Sequence, residues 1–194
     1  MTFTVDEGRR LGNNLFHSFS DFSIPTGGAV IFNNATDATD LDAIINRVTG
    51  QNVLNINGLI RANGDADFFL LNPNGIVFNN DAVLDIGGSF LATTAEQLTF
   101  ADGSVFSTDI AQPTLLTISV PRGLQFSPSS GSVKAVGEGF NLTQNADNGD
   151  GDFFENDKIN RCLVRRLKIC TDWQSDERRI QLDHTTVGQG QSPP

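Results

Sequence analysis

Tyrosine is absent from the 194 residues, tryptophan and methionine occur once each, and cysteine occurs twice. Both cysteines, Cys162 and Cys170, lie in the last fifth of the chain, so residues 1–161 can hold neither a disulfide nor a cysteine metal site. Their C-x7-C spacing fits no zinc pattern. Long apolar runs are also missing, and nothing approaches the roughly 20 residues that a membrane-crossing helix needs. The opening MTFTVDEGRR lacks the basic-then-apolar plan of a signal peptide, so no export signal is expected in the chain as it stands. Basic residues are few where acidic ones are not. Up to residue 150 there are 6 Lys and Arg against 16 Asp and Glu, whereas 151–194 carry 7 of each. An acidic surface repels phosphate backbones, which argues against nucleic acid as a partner. No phosphate loop, HExxH or paired CxxC motif occurs, and no cofactor is expected.

Strong helix formers are sparse, while Phe is used 15 times, Gly 19 times and Asn often. That balance favours β-structure and turns over long helices. From Phe3 to about Phe126, short apolar runs such as AVIFNN, NVLNING, AVLDIGGSFLATT and TLLTISVPRG alternate with clusters of Gly, Asn, Asp and Pro. They predict many strands of about four to six residues. One short helix is expected in DATDLDAIINRVTG, where Leu41, Ile44, Ile45 and Val48 follow the i, i+3, i+4, i+7 pattern and Asp40 stands as N-cap.

The segments VLNINGLIRA (53–62) and VLDIGGSFLA (83–92) echo each other, as do IFNN (31–34) and VFNN (77–80). Apolar starts at Ile31, Val53, Val77, Leu98 and Ile118 are separated by 22, 24, 21 and 20 residues. A period of this size fits the coils of a β-solenoid, in which each coil buries its inner face against its neighbours. Ile56, Ile60, Phe69, Leu71, Val77, Leu84, Ile86 and Phe90 are then the expected inner rows. An antiparallel β-sandwich is the other all-β reading open to this pattern.

After Phe126 the rhythm decays. Residues 131–158 read as an acidic, loop-like segment, and 159–194 as a divergent tail, disordered or carrying one short amphipathic helix near 159–170. In DNGDGD (147–152), Asn148, Asp150 and Asp152 alternate as oxygen ligands, but Phe153 stands where an EF-hand needs Gly, and no metal site is assigned.

In FFLLNPNGIVFNN, Asn72, Pro73, Asn74 and Gly75 suit the four positions of a type I turn, so turn chemistry alone accounts for them. Asp65, Asp67, Asp81 and Asp85 surround the turn. With Arg61 they are the candidate acid and base groups of a polysaccharide lyase or hydrolase, against a plainer reading as solvated rim residues. His17, between Phe16 and Phe19, reads as a packed or surface residue rather than a base.

Taken in order, NNLFHSFSDFSIPTGGAVIFNN, INRVTG, INGLIRANGDADFFLLNPNGIVFNNDAVLDIGGSFLATTA, FADGSVFS and SVPRGLQF resemble the N-terminal two-partner-secretion domain of filamentous haemagglutinin-like proteins over roughly residues 3–126. The resemblance implies an all-β fold: a right-handed parallel β-helix over residues 1–130 with small extra-helical elements. It also implies a non-enzymatic role, in which a dedicated outer-membrane transporter with periplasmic receptor domains recognises an exported adhesin. It maps the secretion motif onto Asn72, Pro73, Asn74, Gly75 and Ile76, and a second landmark onto Asn14, Leu15 and Phe16 at the start of NLFHSF. An extracellular or cell-surface location and a monomer are the matching expectations. This chain departs from the family in having no visible signal peptide, no strands expected before NLFHSF and no repeat-rich passenger, as a fragment would. A β-helix enzyme and a purely structural solenoid module are the alternatives.

Overall fold

Alternation with period two decides many of the strands. In Leu54-Asn55-Ile56, Ile76-Val77-Phe78 and Val83-Leu84-Asp85-Ile86, every second side chain is buried and those between are more exposed. That is the mark of a strand with one face on a core. The structure is a computed structural model that describes residues 1–33, 41–112 and 116–136, together with the backbone of a strand at Leu167–Cys170. The first strands are β1 (Thr2–Val5), β2 (Arg9–Leu11), β3 (Asn14–Phe19), β4 (Ala29–Phe32) and β5 (Ala43–Val48). Then come β6 (Leu54–Ile56), β7 (Leu59–Ala62), β8 (Asp67–Leu71), β9 (Ile76–Phe78), β10 (Val83–Ile86) and β11 (Phe90–Thr93). The last are β12 (Gln97–Phe100), β13 (Val105–Ser107), β14 (Pro121–Gln125), β15 (Val133–Ala135) and β16 (Leu167–Cys170). The described residues contain no helix.

Among the described residues, three of the four sheets are built from parallel neighbours. The first has the order β1-β4-β7-β10, the second β2-β3-β5-β8-β11-β16, and the third β6-β9-β15. Within them β2 alone runs antiparallel to its neighbour. The chain visits second, third and first sheet in turn, as β5, β6, β7, then β8, β9, β10, then returns to the second sheet as β11. Leu54 faces Ile76 and Phe68 faces Phe90, each 22 residues on, while Ala43 faces Asp67 and Leu59 faces Val83, each 24 on. The fourth sheet, β13-β12-β14, is antiparallel.

Two cores result. The larger takes side chains from all three parallel sheets, among them Phe32, Ile44, Leu54, Ile56, Ile60, Phe68, Leu70, Ile76, Ile86 and Phe90. Phe32 meets Phe68 edge-on at 4.9 Å between ring centres, and Phe68 stacks on Phe90 at 5.6 Å. A ladder of rings therefore links successive coils, each contact adding about 0.5–1.5 kcal/mol to what burial supplies. The smaller core joins Phe16, Ala43, Ile45 and Leu71 of the second sheet to Leu98, Phe100 and Phe106 of the antiparallel one.

The second core explains where the sequence misleads. The helix expected around Leu41–Val48 is strand β5, paired in parallel with β3 on one side and β8 on the other. Ile44 points into the large core and Ile45 into the small one, so both faces are buried and the alternation vanishes. What remains mimics a helical spacing. The same effect shifts the inner row of β8, where Phe68 and Leu70 face the large core while Phe69 and Leu71 pack in the small one. On β9 the inward residues are Ile76 and Phe78, not Val77. Leu98 lies in the antiparallel sheet and Ile118 is 74% exposed outside any strand, so neither continues the coil rhythm.

At the N-terminal end, where no strands were expected, β1 pairs with β4 and β2 with β3. Past residue 130, β15 adds to β9 and β16 to β11, both in parallel. Residues 167–170 are thus strand rather than the end of a helix, while 137–166, including DNGDGD, and 171–194 lie outside the described residues.

The row assignment predicts unequal costs. Phe68→Ala should lower stability by about 3–5 kcal/mol in urea titration, and Val77→Ala by under about 1 kcal/mol. Equal losses would contradict it.

Candidate functional site

The NPNG motif follows directly on β8 and leads into β9, at the corner between the second and third sheets. Gly75 N–H donates to the Asn72 carbonyl at 3.2 Å, closing the turn across Pro73 and Asn74. Asn72 is fully buried. Its side-chain amide donates to the carbonyls of Asn52 at 3.0 Å and Gly75 at 2.8 Å, and its carbonyl oxygen accepts from the Asn74 amide at 3.1 Å. Asn74 is exposed, yet its amide also reaches back to the Gly50 carbonyl at 2.9 Å. Both asparagines thus bind backbone of the preceding coil, whose corner carbonyls have no strand partner to answer them.

The coil after is held as well. Gly131 N–H donates to the Pro73 carbonyl at 2.6 Å, and Ile76 N–H to the Ser132 carbonyl at 3.1 Å. A Cβ on Gly131 would stand 2.5 Å from the Asn74 carbonyl oxygen, so only glycine permits this approach. Gly75 has φ of 120°, a conformation other residues rarely adopt, and Ile76 is fully buried in the large core. Of the five motif residues, Asn74 is exposed and Pro73 half-buried.

The second landmark opens β3 in the same sheet. Asn14 aligns with Asp67 through Ala43, five positions before Asn72, so the two landmarks lie roughly 16 Å apart along the strand direction. They share a sheet but do not meet. Asn14 is buried and its amide donates to the carbonyls of Thr117 at 3.0 Å and Ser119 at 2.8 Å, holding the approach to β14. Leu15 is half-buried, and Phe16 packs in the small core against Phe106 and Phe100. Sequence reasoning missed the backbone partners at Gly50, Asn52, Thr117, Ser119 and Gly131. Glycine at 50 and 131 was the available signal.

His17, next along β3, is packed, as expected. Its ring stacks on Phe19 at 5.9 Å and meets Phe32 edge-on at 5.3 Å, and a Cβ on Gly8 would lie 2.6 Å from Nε2. Burial holds its pKa down at about 4.

The carboxylates of the enzymatic reading do not converge as one set. Asp85 pairs with Arg61 at 2.5 Å, Asp67 accepts from Ser89 N–H at 2.7 Å, and Asp81 N–H donates to Asn57 Oδ1 at 3.0 Å. Asp65 lies exposed in a bend before β8. Among the described residues no group of His, Cys, Asp and Glu could hold a metal ion, and no helix is long and apolar enough to cross a membrane.

A family model described as the TPS secretion domain matches residues 1–157, most of the chain. The chain belongs to the TPS secretion domain family. No curated protein and no solved structure matches it. The TPS domain is a secretion domain rather than an enzyme family, and its match runs through Gly131 and Ser132, which bond the NPNG corner, and β15, which pairs with β9.

Two consequences follow for the TPS landmarks. Asn72→Ala takes the side-chain donor from the Asn52 carbonyl and leaves the Gly75 carbonyl with Leu54 N–H, and it should lower stability by about 1–3 kcal/mol in urea titration, whereas an unchanged midpoint would remove the corner role. For His17, the unfolded chain binds the proton more tightly, so stability rises with pH between about 4 and 6.5. The gain from this residue should approach about 3 kcal/mol, and His17→Gln should flatten that part of the pH profile. An unchanged slope would show that His17 does not titrate as a buried group.

Proposed function

We propose that this chain is the secretion and recognition domain of a filamentous haemagglutinin-like exoprotein, which addresses its protein to the outer-membrane transporter of its own pair. The observation that carries this reading is the family match over residues 1–157. The fold supports it. Three parallel sheets visited in constant order from β5 to β10, with registers of 22 to 30 residues between successive coils from β3 to β11, are what a right-handed parallel β-helix would give, with the antiparallel sheet as its extra-helical element. The domain acts outside the cell as a monomer and performs no catalysis. Adhesion belongs to the rest of such an exoprotein.

Within this reading the five motif residues divide their work. Asn72, Gly75 and Ile76 serve the corner, while Pro73 and Asn74 present the edge that the transporter's periplasmic receptor domains can touch. Recognition then needs the folded corner first and its exposed edge second. The separate engagement of the carboxylates leaves the lyase or hydrolase reading without an observation in its favour.

Export tests the proposal. The domain is placed behind a signal peptide and produced with and without the transporter, as parent and as the Asn72→Ala, Asn74→Ala double variant. The expected result is transporter-dependent appearance of the parent outside the cell and reduced export of the double variant. Export of the parent that ignores the transporter would sink the assignment. Full export of the double variant at parental stability would reduce the motif to a turn.

A further inference from the structure

Where the second sheet meets the antiparallel one, the outer surface dips into an open depression lined by Arg9, Phe16, Ser18, Arg47, Phe106 and Leu116. Register explains the grouping. Arg9 faces Phe16 across β2 and β3, and Ser18 faces Arg47 across β3 and β5, so alternate residues of three neighbouring strands share this face. The Arg47 guanidinium donates from Nε to Ser18 Oγ at 2.7 Å, donates from Nη1 to the Ser107 carbonyl, and lies 4.6 Å over the Phe106 ring. Its position and plane are therefore set by the fold. Arg9 comes from an edge strand whose three residues are all exposed.

The sign of this surface is unusual for the domain. Residues 1–150 carry 6 basic side chains against 16 acidic ones, yet two of those six line this one depression. Arg47 is partly withdrawn from water, and burial lowers its pKa without removing its charge. A guanidinium so placed attracts an anion more strongly than one in bulk solvent. Guanidinium groups suit carboxylates through paired N–H donors, and Phe16, Phe106 and Leu116 offer apolar surface beside them.

We propose that this depression is a binding site for an extended acidic peptide segment, with a carboxylate between Arg9 and Arg47 and the adjoining apolar side chain on Phe16, Phe106 and Leu116. The site lies on the outer face of the second sheet, whereas the NPNG turn follows the end of β8 at a corner. Its proof does not depend on the transporter reading.

The probe is a short capped peptide with a single Glu between two apolar residues, beside a matched peptide with Gln in its place. Arginine side-chain and backbone NMR signals of the whole chain are followed during titration. Saturable shifts should appear at Arg9, Ser18, Arg47 and Phe106 with a dissociation constant on the order of 1 mM, and the Gln peptide should bind at least about tenfold more weakly. Arg9→Gln, at an exposed position, should give a comparable loss, while Arg122→Gln should leave binding unchanged. Equal binding of the two peptides, shifts of the same size at Arg122, undiminished binding by Arg9→Gln, or no saturation in the millimolar range would each overturn the site.

Discussion

The interaction on which the stacked coils depend is the pair of hydrogen bonds that the buried Asn72 amide gives to the carbonyls of Asn52 and Gly75. Strand backbones in a parallel stack satisfy one another, but at each corner the chain leaves the ladder and its carbonyls lose their partners. A buried side-chain amide replaces them here. The Gly75 carbonyl that Asn72 holds also accepts from Leu54 N–H at 3.0 Å, so the side-chain bond across the turn and the first bond of β6 to β9 meet at one atom. Gly131 and Ser132 then lie against the same corner from the other side. Register, turn and coil spacing are coupled through this point.

That coupling bears on how a secretion domain is recognised. With Asn72 and Ile76 buried and Pro73 and Asn74 nearer the surface, the motif is as much a determinant of the folded corner as an exposed segment. The aromatic ladder Phe32, Phe68 and Phe90 acts in the same direction, since it ties the coil before the corner to the coil after it. The acidic excess up to residue 150, 16 acidic against 6 basic side chains, sets a field that repels polyanions. Against that background, two of the six basic side chains up to residue 150, Arg9 and Arg47, line one depression.

Much of this was legible in the residues. The short apolar runs and the turn at Asn72–Gly75 follow from local chemistry, and the family was reached by the resemblance of several motifs in order. The internal echo was read in the wrong phase. VLNINGLIRA holds β6 and β7, whereas VLDIGGSFLA holds β10 and β11, so the matched strands belong to different sheets and β10 pairs with β7 instead. Similar residues recur because each corner joins a short strand to the next, whichever sheets they enter. The second core could not be seen in advance. It buries Ile45 and Leu71 on the face where a single-core solenoid would carry polar groups, and it erases the alternation that marks strands elsewhere. Position-specific partners such as Thr117 and Ser119 for Asn14 lie more than a hundred residues away and leave no local trace.

Native-state amide hydrogen exchange in the parent and in Asn72→Ala tests the central claim most directly, that one buried amide links consecutive coils. The account predicts that the Leu54 and Ile76 amides, bonded to Gly75 and Ser132, lose protection together by about tenfold or more. Leu98, in the antiparallel sheet, should lose much less. Loss of protection confined to Asn74 and Gly75, with Leu54 and Ile76 unchanged, would contradict it.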